Sequence, residues 1–310
     1  MSCKPSPTFT VFTPTFNRAH TLPRVHGSLV AQTFRDFEWI VVDDGSSDGT
    51  AELVRGWQAS TDFAIRYFHQ PNSGKHMAFN RAVRAACGQF FLVLDSDDSC
   101  VPEALERFQY HWDTIPDKIR PQFSAVTCLC RDQHGNIVGT QFPKNPTDSD
   151  PLEIRYRHKV TGEKWGFHLT SVLKQHPFPE LHDQPYVTES MVWNSIARSY
   201  RTRYVNEALR TYYIEPVEDS LTRQAANAQA RASMFALSNR LSLEEDMRWF
   251  RFAPYAFVKN AANYVRYSLH CGQGPVAQRR SLRHASGRAL HAVTLPLGYL
   301  LYARDRRREG

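Results

Sequence analysis

The first 110 residues alternate between short apolar runs and longer stretches whose apolar residues recur every three or four positions. The runs predict four strands: Phe9 to Thr13, Phe37 to Val42, Ile65 to Phe68 and Phe90 to Leu94. The stretches between them predict helices with apolar faces, formed by Leu22, Val25, Leu29 and Val30, by Ala51 to Trp57, and by Met77, Phe79, Ala82 and Val83. This β-α-β-α-β-α-β order predicts an α/β fold with a doubly wound, mostly parallel sheet.

Carboxylates follow two of the predicted strands at their carboxyl ends, namely Asp43 and Asp44 and then Asp95, Asp97 and Asp98. That edge of an open parallel sheet is where ligands bind. Three carboxylates within four residues repel one another unless a cation is present, and Mg²⁺ and Mn²⁺ prefer oxygen ligands. The pattern therefore predicts a metal site. An alternative is a helix amino terminus near Pro102 capped by one aspartate, and the two can coexist.

An acidic rim of this kind suits a nucleotide whose phosphates are met through a cation. Asp43 can accept hydrogen bonds from a base or a ribose, and a metal held by Asp97 can neutralise a diphosphate. No GxGxxG follows the first predicted strand and no GxxxxGK[ST] occurs in the chain. Dinucleotide-binding and P-loop folds are therefore disfavoured.

Four segments together, TPTFNR, WIVVDDGSSDGT, NSGKHMAFNRA and FLVLDSDD, resemble the amino-terminal half of family 2 glycosyltransferases with the GT-A fold. The resemblance spans about residues 9 to 110. It implies that Thr13, Pro14 and Thr15 line the base pocket, that Asp43 receives the base, and that Asp95 faces the ribose or sugar. Asp95 and Asp97 would form the DxD element, with Asp97 ligating Mn²⁺ or Mg²⁺.

The resemblance also places five further residues among those that bind the donor: Asn17, Asp44, Lys75, Asn80 and Ser96. For two of these an ordinary structural role remains open, because Lys75 can be a solvated lysine and Asn80 a helix-surface amide.

The pattern loosens in the second half of the chain. Residues Ala125 to Arg131 and Asn136 to Thr140 predict a hairpin with His134 and Gly135 in its turn. The segment Phe142 to Tyr156 predicts a loop able to move over the site, and Trp165 to Leu173 forms an apolar core.

Glu189 opens a predicted helix, and a strand from Arg203 to Val205 follows. The apolar residues of that helix are expected to face inward: Met191, Val192, Ile196 and Ala197. Inverting members of the family carry an acidic residue here, commonly Glu-Asp, and this chain has Glu189 and Ser190. The resemblance therefore implies Glu189 as general base, the alternative being a glutamate that favours the helix dipole. His182 and Asp183 are fallback candidates for the base or a metal ligand.

The carboxyl-terminal region predicts helices over Gln224 to Trp249 and over Tyr255 to Leu269, the second with an aromatic stripe of Tyr255, Phe257, Tyr264 and Tyr267. The apolar segment Ala289 to Tyr302 is too short to span a bilayer, and Pro296 is expected to break it. Residues 278–310 hold eight arginines against two acidic residues, a net of +6 within a chain whose net charge is +7. That distribution argues against a nucleic-acid groove and favours contact of the tail with an anionic membrane. A terminal helix packed on its domain, with a solvated basic tail, is the alternative.

Three parts follow from these patterns: a nucleotide-sugar-binding half at residues 1–123, an acceptor-binding half at 124–220, and a helical extension at 221–310. The six cysteines lack zinc spacing and are expected to be reduced and mostly buried. No signal peptide is predicted, so we expect a cytoplasmic protein, at the inner face of the membrane if the tail binds there.

The predicted function is metal-dependent, inverting transfer of a sugar from a nucleoside-diphosphate sugar, with UDP favoured by family tendency. The acceptor would be a sugar or lipid-linked glycan hydroxyl. A catalytically silent binding partner of the same fold is the alternative, and nucleotidyl transfer ranks last because no glycine-rich basic loop follows the first strand.

Overall fold

The computed structural model describes residues 6–180, 187, 189–214 and 232–309. The chain divides into two compact units, the first comprising residues 1–182 and 192–215 and the second residues 183–191 and 216–310. The two halves predicted at 1–123 and 124–220 contribute strands to one nine-stranded sheet within the first unit.

The amino-terminal part of the sheet is parallel and alternates with helices, as predicted. Its elements are β1 (Phe9–Thr15), α1 (Leu22–Val30), β2 (Phe37–Asp43), α2 (Thr50–Ser60), β3 (Ala64–His69), α3 (Lys75–Ala85) and β4 (Phe90–Val93). The strand order is β3-β2-β1-β4, and all three pairings are parallel. Every residue of β2 is buried, which accounts for its apolar run Trp39 to Val42, and the buried Glu38 is paired with Arg66. The prediction of an α/β fold with a doubly wound, mostly parallel sheet is confirmed.

The rest of the first unit extends this sheet with mixed pairings. Its elements are β5 (Ser99–Cys100), α4 (Ala104–Asp113), β6 (Phe123–Asp132), β7 (Thr147–Ser149), α5 (Pro151–Tyr156), β8 (Lys164–Leu169), α6 (Thr170–Gln175), α7 (Ser190–Ala197) and β9 (Arg201–Tyr212). Strand β8 lies between β4 and β6 and is antiparallel to both, while β9 runs parallel to β6. Aromatic rings pack across this junction, with the centroids of Phe90 and Phe167 4.3 Å apart.

Two predictions for the second half are wrong. The predicted turn at His134 and Gly135 is present, but Asn136 to Thr140 do not form a second strand. Strands β8 and β9 flank β6, and the described residues after the turn make a single antiparallel bridge, between Arg131 and Ile137. The segment Phe142 to Tyr156 is not a free loop. It contains β7, which pairs with β9, and α5, which is capped because the Asp150 carboxylate accepts hydrogen bonds from two backbone N–H groups.

Three expectations about single residues are also wrong. Val30, assigned to the inner face of α1, is 45% exposed, and Tyr255, assigned to an aromatic stripe, is 81% exposed. Cys87 is disulfide-bonded, whereas Cys100, Cys128 and Cys130 are buried free thiols. The burial of an apolar residue at the edge of a helical stripe depends on how the helix is rotated about its axis, and the sequence of the helix does not fix that rotation.

The described part of the second unit is helical: α8 (Ala232–Glu245), α9 (Pro254–His270), α10 (Pro275–Ser281) and α11 (Ala285–Glu309). The helix predicted from Gln224 begins outside the described residues. Helix α11 continues through Pro296, so the predicted break is wrong. Pro296 and Ala292, whose carbonyl loses its usual donor, are both exposed. Among the described helices, none combines the length and apolar character needed to cross a membrane.

Candidate functional site: an acidic rim at the carboxyl ends of the strands

The predicted site residues of the first unit gather where β1, β2 and β4 end. Thr15 and Asp43 are register partners in β1 and β2, and the Asp44 N–H donates to the Thr15 carbonyl at 2.8 Å. Asp95 follows β4, which lies on the other side of β1. The topology therefore brings the carboxylates predicted from two distant segments to one rim.

Asp43 is almost completely buried, at 1% exposure, and its carboxylate is held from two sides. One oxygen accepts from the Ser46 N–H at 2.8 Å, and the other accepts from the Tyr67 hydroxyl at 2.6 Å. Burial, together with the hydrogen bond and charge of Asp43, raises the pKa of Tyr67 well above its ordinary value. Tyr67 thus remains a donor that orients Asp43.

Asp44 fastens the loop that leads into α3. Its carboxylate accepts hydrogen bonds from the Gln70 amide at 2.8 Å and from the N–H groups of Ser73 and Gly74 at 2.9 and 2.8 Å. Gly74 has a φ of +92°, a conformation that favours glycine. Since both oxygens of Asp44 are satisfied within the protein, its role is to place the start of α3, and with it Lys75.

The predicted base pocket combines fully buried and partly open residues. Thr13 is fully buried, and its hydroxyl accepts from the Trp39 indole N–H at 3.0 Å. Pro14 is half-buried, and Thr15 is buried with a hydroxyl that has no hydrogen-bond partner among the described residues. Asn17, at a φ of +53°, accepts from the Ser47 N–H at 2.8 Å. Thr15 therefore offers the unused polar atom in this part of the rim.

The carboxylates after β4 have different partners, although they are close in sequence. Asp95 accepts from Lys75 Nζ at 2.9 Å and from Arg210 at 3.1 Å. Burial opposes ionisation of Asp95, but these two cations lower its pKa to about 2. Asp98 is 1% exposed and receives Arg210 Nε at 2.7 Å and the Tyr213 N–H at 3.1 Å. Asp98 therefore belongs to a buried ion pair.

Asp97 differs from both neighbours because its carboxylate forms no ion pair within the described part of the chain. It is half-buried, and burial together with the charge of Asp95 raises its pKa, with the charge of Arg18 opposing. Its backbone carbonyl accepts a hydrogen bond from the Arg24 guanidinium. A bound cation would relieve the repulsion between Asp97 and Asp95.

The described residues contain no cluster of three or more His, Cys, Asp or Glu side chains arranged to hold a metal. Of the three carboxylates after β4, Asp98 is paired with Arg210, which leaves Asp95 and Asp97, the two ligands predicted from the DxD element. Asp97 and Asp95 can supply only part of the roughly six oxygens that Mg²⁺ or Mn²⁺ requires. Their chemistry fits a divalent cation whose remaining ligands come from a bound diphosphate or water.

Three residues that sequence reasoning missed complete the rim: Arg210, Tyr67 and Arg24. Arg210 lies on β9 and is 6% exposed, a rare environment for an arginine without acidic partners. Arg24 stacks on the Tyr213 ring at 3.7 Å. The only local signal was an arginine inside the strand-like segment Arg201–Tyr212, and that signal does not name a partner.

The remaining candidates lie in several places. Asn80 is buried, and its amide group donates to the Phe178 carbonyl and accepts from the Phe178 N–H, at 2.8 and 2.9 Å. Ser96 is buried between the two DxD aspartates. Glu189 is exposed, precedes α7 directly and belongs to the second unit. His182 and Asp183 lie outside the described residues.

Comparison with known proteins assigns the amino-terminal part of the chain to a family. Residues 10–120 match the family described as "Glycosyl transferase family 2". Among curated proteins, the GalNAc(5)-diNAcBac-PP-undecaprenol beta-1,3-glucosyltransferase of Campylobacter jejuni is 28% identical over 270 residues, covering 85% of this chain and 82% of that protein. An uncharacterized glycosyltransferase of Mycoplasma pneumoniae is 27% identical over 249 residues, covering 76% of this chain and 77% of that protein.

Solved structures share the fold. Residues 1–349 of TarS from S. aureus, in complex with UDP-GlcNAc, superpose with a TM-score of 0.64 at 17% identity, covering 96% of this chain and 92% of that one. The mannosyltransferase PcManGT from Pyrobaculum calidifontis, in complex with GDP-Man and Mn²⁺, gives a TM-score of 0.57 at 19% identity and covers 96% and 88%. Residues 10–120 are therefore a glycosyl transferase family 2 domain, and the protein is a glycosyltransferase with the GT-A fold, as the four segments in its sequence predicted.

Proposed function

We propose that the protein transfers a sugar from a nucleoside-diphosphate sugar, with UDP as the nucleotide, to a hydroxyl group of a sugar or lipid-linked glycan. The reaction would depend on a divalent cation and invert the anomeric configuration. The observation that carries this proposal is that the three carboxylates after β4 have different partners. Cationic side chains hold Asp95 and Asp98, whereas the half-buried Asp97 has no ion pair in the described structure.

Asp43 is the group proposed to receive the base. A carboxylate has about four lone-pair sites, of which Ser46 and Tyr67 use two. A base N–H can therefore be accepted without displacing either partner. The fixed orientation of Asp43 lowers the conformational cost of binding.

Asp97, helped by Asp95, is the group proposed to hold Mn²⁺ or Mg²⁺. When bound, the cation would act as a Lewis acid and stabilise charge on the leaving diphosphate. Lys75 and Arg210 keep Asp95 ionised and fixed, as the pKa of about 2 indicates. The protein's part in this step is to present Asp97, which forms no ion pair with any described residue, beside Asp95, whose position is fixed by two cations.

Glu189 is proposed as the general base. The family resemblance suggests this role, and the side chain is exposed at the start of α7. As the acceptor hydroxyl attacks the anomeric carbon, its proton would pass to the Glu189 carboxylate while the bond to the diphosphate breaks. A single displacement of this kind inverts the configuration.

The relatives support the substrate classes. The Campylobacter jejuni protein is named for glucosyl transfer to an undecaprenol-linked glycan. The TarS structure contains UDP-GlcNAc, and the PcManGT structure contains GDP-Man and Mn²⁺. Because these two neighbours hold different bases, the choice of UDP needs a direct test.

A thermal-shift screen of UDP, GDP, CDP and their sugars, with Mn²⁺ or with chelator, is that test. A ligand stabilises by RT ln(1 + [L]/Kd), so a donor at 100 times its Kd adds about 2.7 kcal/mol. We expect UDP-sugars to stabilise the protein with Mn²⁺ and much less with chelator, and Asp97→Asn to remove that difference. Asp117→Asn, at a carboxylate whose side chain is 89% exposed, is the matched control. Equal stabilisation in chelator would exclude the metal-dependent proposal.

Turnover separates this proposal from a catalytically silent binding protein. Release of UDP from a UDP-sugar, with or without acceptor, should be lost in Asp97→Asn. Transfer should be lost in Glu189→Gln while donor binding persists. If the native protein binds a sugar nucleotide but neither hydrolyses nor transfers it with any lipid-linked or free glycan, the silent alternative is correct.

A further inference from the structure

Helix α11 directs apolar side chains to solvent along much of its length. Val293 is 78% exposed, Leu297 is 45% exposed and Leu300 is 66% exposed. Positions 293, 297 and 300 are four and three residues apart, which places them on one face of a helix with 3.6 residues per turn. This apolar stripe, defined by Val293, Leu297 and Leu300, is the reverse of the arrangement expected for a surface helix.

The opposite face of α11 is buried and mostly polar. His291 is 1% exposed, Thr294 is 3% exposed and Asp305 is 9% exposed. Gly298 lies on the same side, against α9. Polar side chains are normally the ones that face water, so their burial here indicates that the helix is held in this orientation by specific partners.

Those partners are well defined within the second unit. His291 Nε2 is 2.9 Å from Gln278 Oε1. Asp305 accepts from the Arg266 guanidinium at 2.6 Å, and His270 Nε2 lies 3.0 Å away. A Cβ added at Gly298 would lie 2.4 Å from the Val265 Cβ, so no other residue of α11 fits at this contact without displacement. Rolling α11 to bury the stripe would break these contacts and leave Asp305 away from its cationic partners.

Positive charge continues the stripe towards the carboxyl end of the helix. Arg304 and Arg307 are exposed and fall on the same helical face as Leu297 and Leu300. Asp305, the acidic residue between them, is turned inward and neutralised by Arg266. A partner for this face must therefore present an apolar region to the stripe and negative charge to Arg304 and Arg307.

The geometry points to α11 as a docking surface for an anionic phospholipid bilayer, with the apolar stripe among the acyl chains and Arg304 and Arg307 at the lipid phosphates. A helix lying in the interface buries one apolar face while its long cationic side chains reach the headgroups. The inference does not depend on the proposed transfer reaction.

Co-sedimentation of the full chain with vesicles tests the inference. We expect binding to vesicles of phosphatidylglycerol and phosphatidylcholine and much weaker binding to phosphatidylcholine alone. A basic residue near an anionic surface contributes about 1 kcal/mol, or about fivefold in affinity. Arg304→Gln with Arg307→Gln should thus weaken binding by about 25-fold at low salt and by less at high salt.

The triple variant Val293→Ser, Leu297→Ser and Leu300→Ser should abolish binding even at low salt, because the apolar contribution is gone. Its matched controls are Val30→Ser and Arg55→Gln, exposed residues of the first unit that should leave binding unchanged. A tryptophan placed at Leu297 should show a blue-shifted emission with anionic vesicles.

Several results would overturn the inference. Vesicle binding that survives the triple variant would show that charge alone, or another surface, binds lipid. Self-association that disappears in the triple variant, without vesicle binding by the native protein, would assign the stripe to a second copy of the chain. Release of UDP from a UDP-sugar in vesicle-free buffer, measured on the same variant, reports on the proposed function separately.

Discussion

Replacing Arg210 with methionine should destabilise the first unit strongly. The guanidinium is 6% exposed and serves two carboxylates, Asp98, which is 1% exposed, and Asp95. Methionine fills similar space but leaves Asp98 without its cation, and burial, which already raises the pKa of Asp98 to about 7, would force it to stay a buried anion or to take up a proton, with the Tyr213 N–H as its remaining donor among the described residues. Loss of one partner of a buried ion pair costs about 3–5 kcal/mol, so we expect a fall of that size in the free energy of unfolding.

Urea unfolding followed by tryptophan fluorescence is the appropriate assay, since five of the six tryptophans belong to the first unit. The double variant Arg210→Met with Asp98→Leu should recover at least about 1 kcal/mol relative to the sum of the single variants, because it removes both charges. Arg35→Met is the control, since Arg35 and Asp62 pair on the surface with side-chain exposures of 45% and 66%. Such exposed pairs contribute less than about 1 kcal/mol.

The reasoning fails if Arg210→Met unfolds within about 1 kcal/mol of the native protein. In that case water or another cation must reach Asp98, and the ion pair would not hold the rim together. The reasoning also fails if the two single variants are additive, because residues that share one ion pair must be coupled.

Three further predictions concern other parts of the first unit. Burial lowers the pKa of His168 to about 4, so the folded state binds this proton less readily than the unfolded state. The free energy of unfolding should therefore be at its full value above pH 6.5 and fall by up to about 3 kcal/mol as the pH falls towards 4. Melting curves across this pH range should show a smaller fall for His168→Gln. Gly88→Ala should cost about 1–3 kcal/mol, because its Cβ would lie 2.4 Å from the Thr10 backbone nitrogen, whereas Gly56→Ala, with open space around its Cβ, should not destabilise in urea unfolding. Asp43→Asn should weaken nucleotide binding by about 10-fold to 100-fold in calorimetry, as expected for loss of a charged hydrogen bond, and unchanged affinity would remove Asp43 from the base pocket.

The parallel half of the fold could be predicted because each of its strands can be recognised from its own local sequence. Each is short and mostly apolar, carboxylates stand at or just after the ends of β2 and β4, and apolar residues at helical spacing follow the first three strands. The mixed half could not be predicted in the same way. Strand β6 was recognised, but its neighbours β8 and β9 lie far along the chain, and nothing in the hairpin-like segment after β6 excludes local pairing.

The candidate site shows the same division. The sequence indicated which carboxylates reach the rim, but the partner of each depends on contacts between distant segments. Asp98 and Arg210 are 112 positions apart, and their pairing separates Asp98 from Asp95 and Asp97, the two carboxylates predicted to hold the metal. Likewise, Pro296 predicts a helix break from local chemistry, but the packing of α11 against α9 keeps the helix continuous.

The place of Arg210 on β9 bears on how this domain could have been assembled. The last of the four family segments ends at Asp98, and the family match ends at residue 120, yet the cation that neutralises Asp98 is Arg210. A fragment that ends at residue 120, where the family match ends, would keep all four segments but would leave the buried Asp98 carboxylate without its arginine. The glycosyltransferase domain is therefore not an autonomous module, and swapping its amino-terminal segment between relatives should succeed only when the matching arginine strand travels with it.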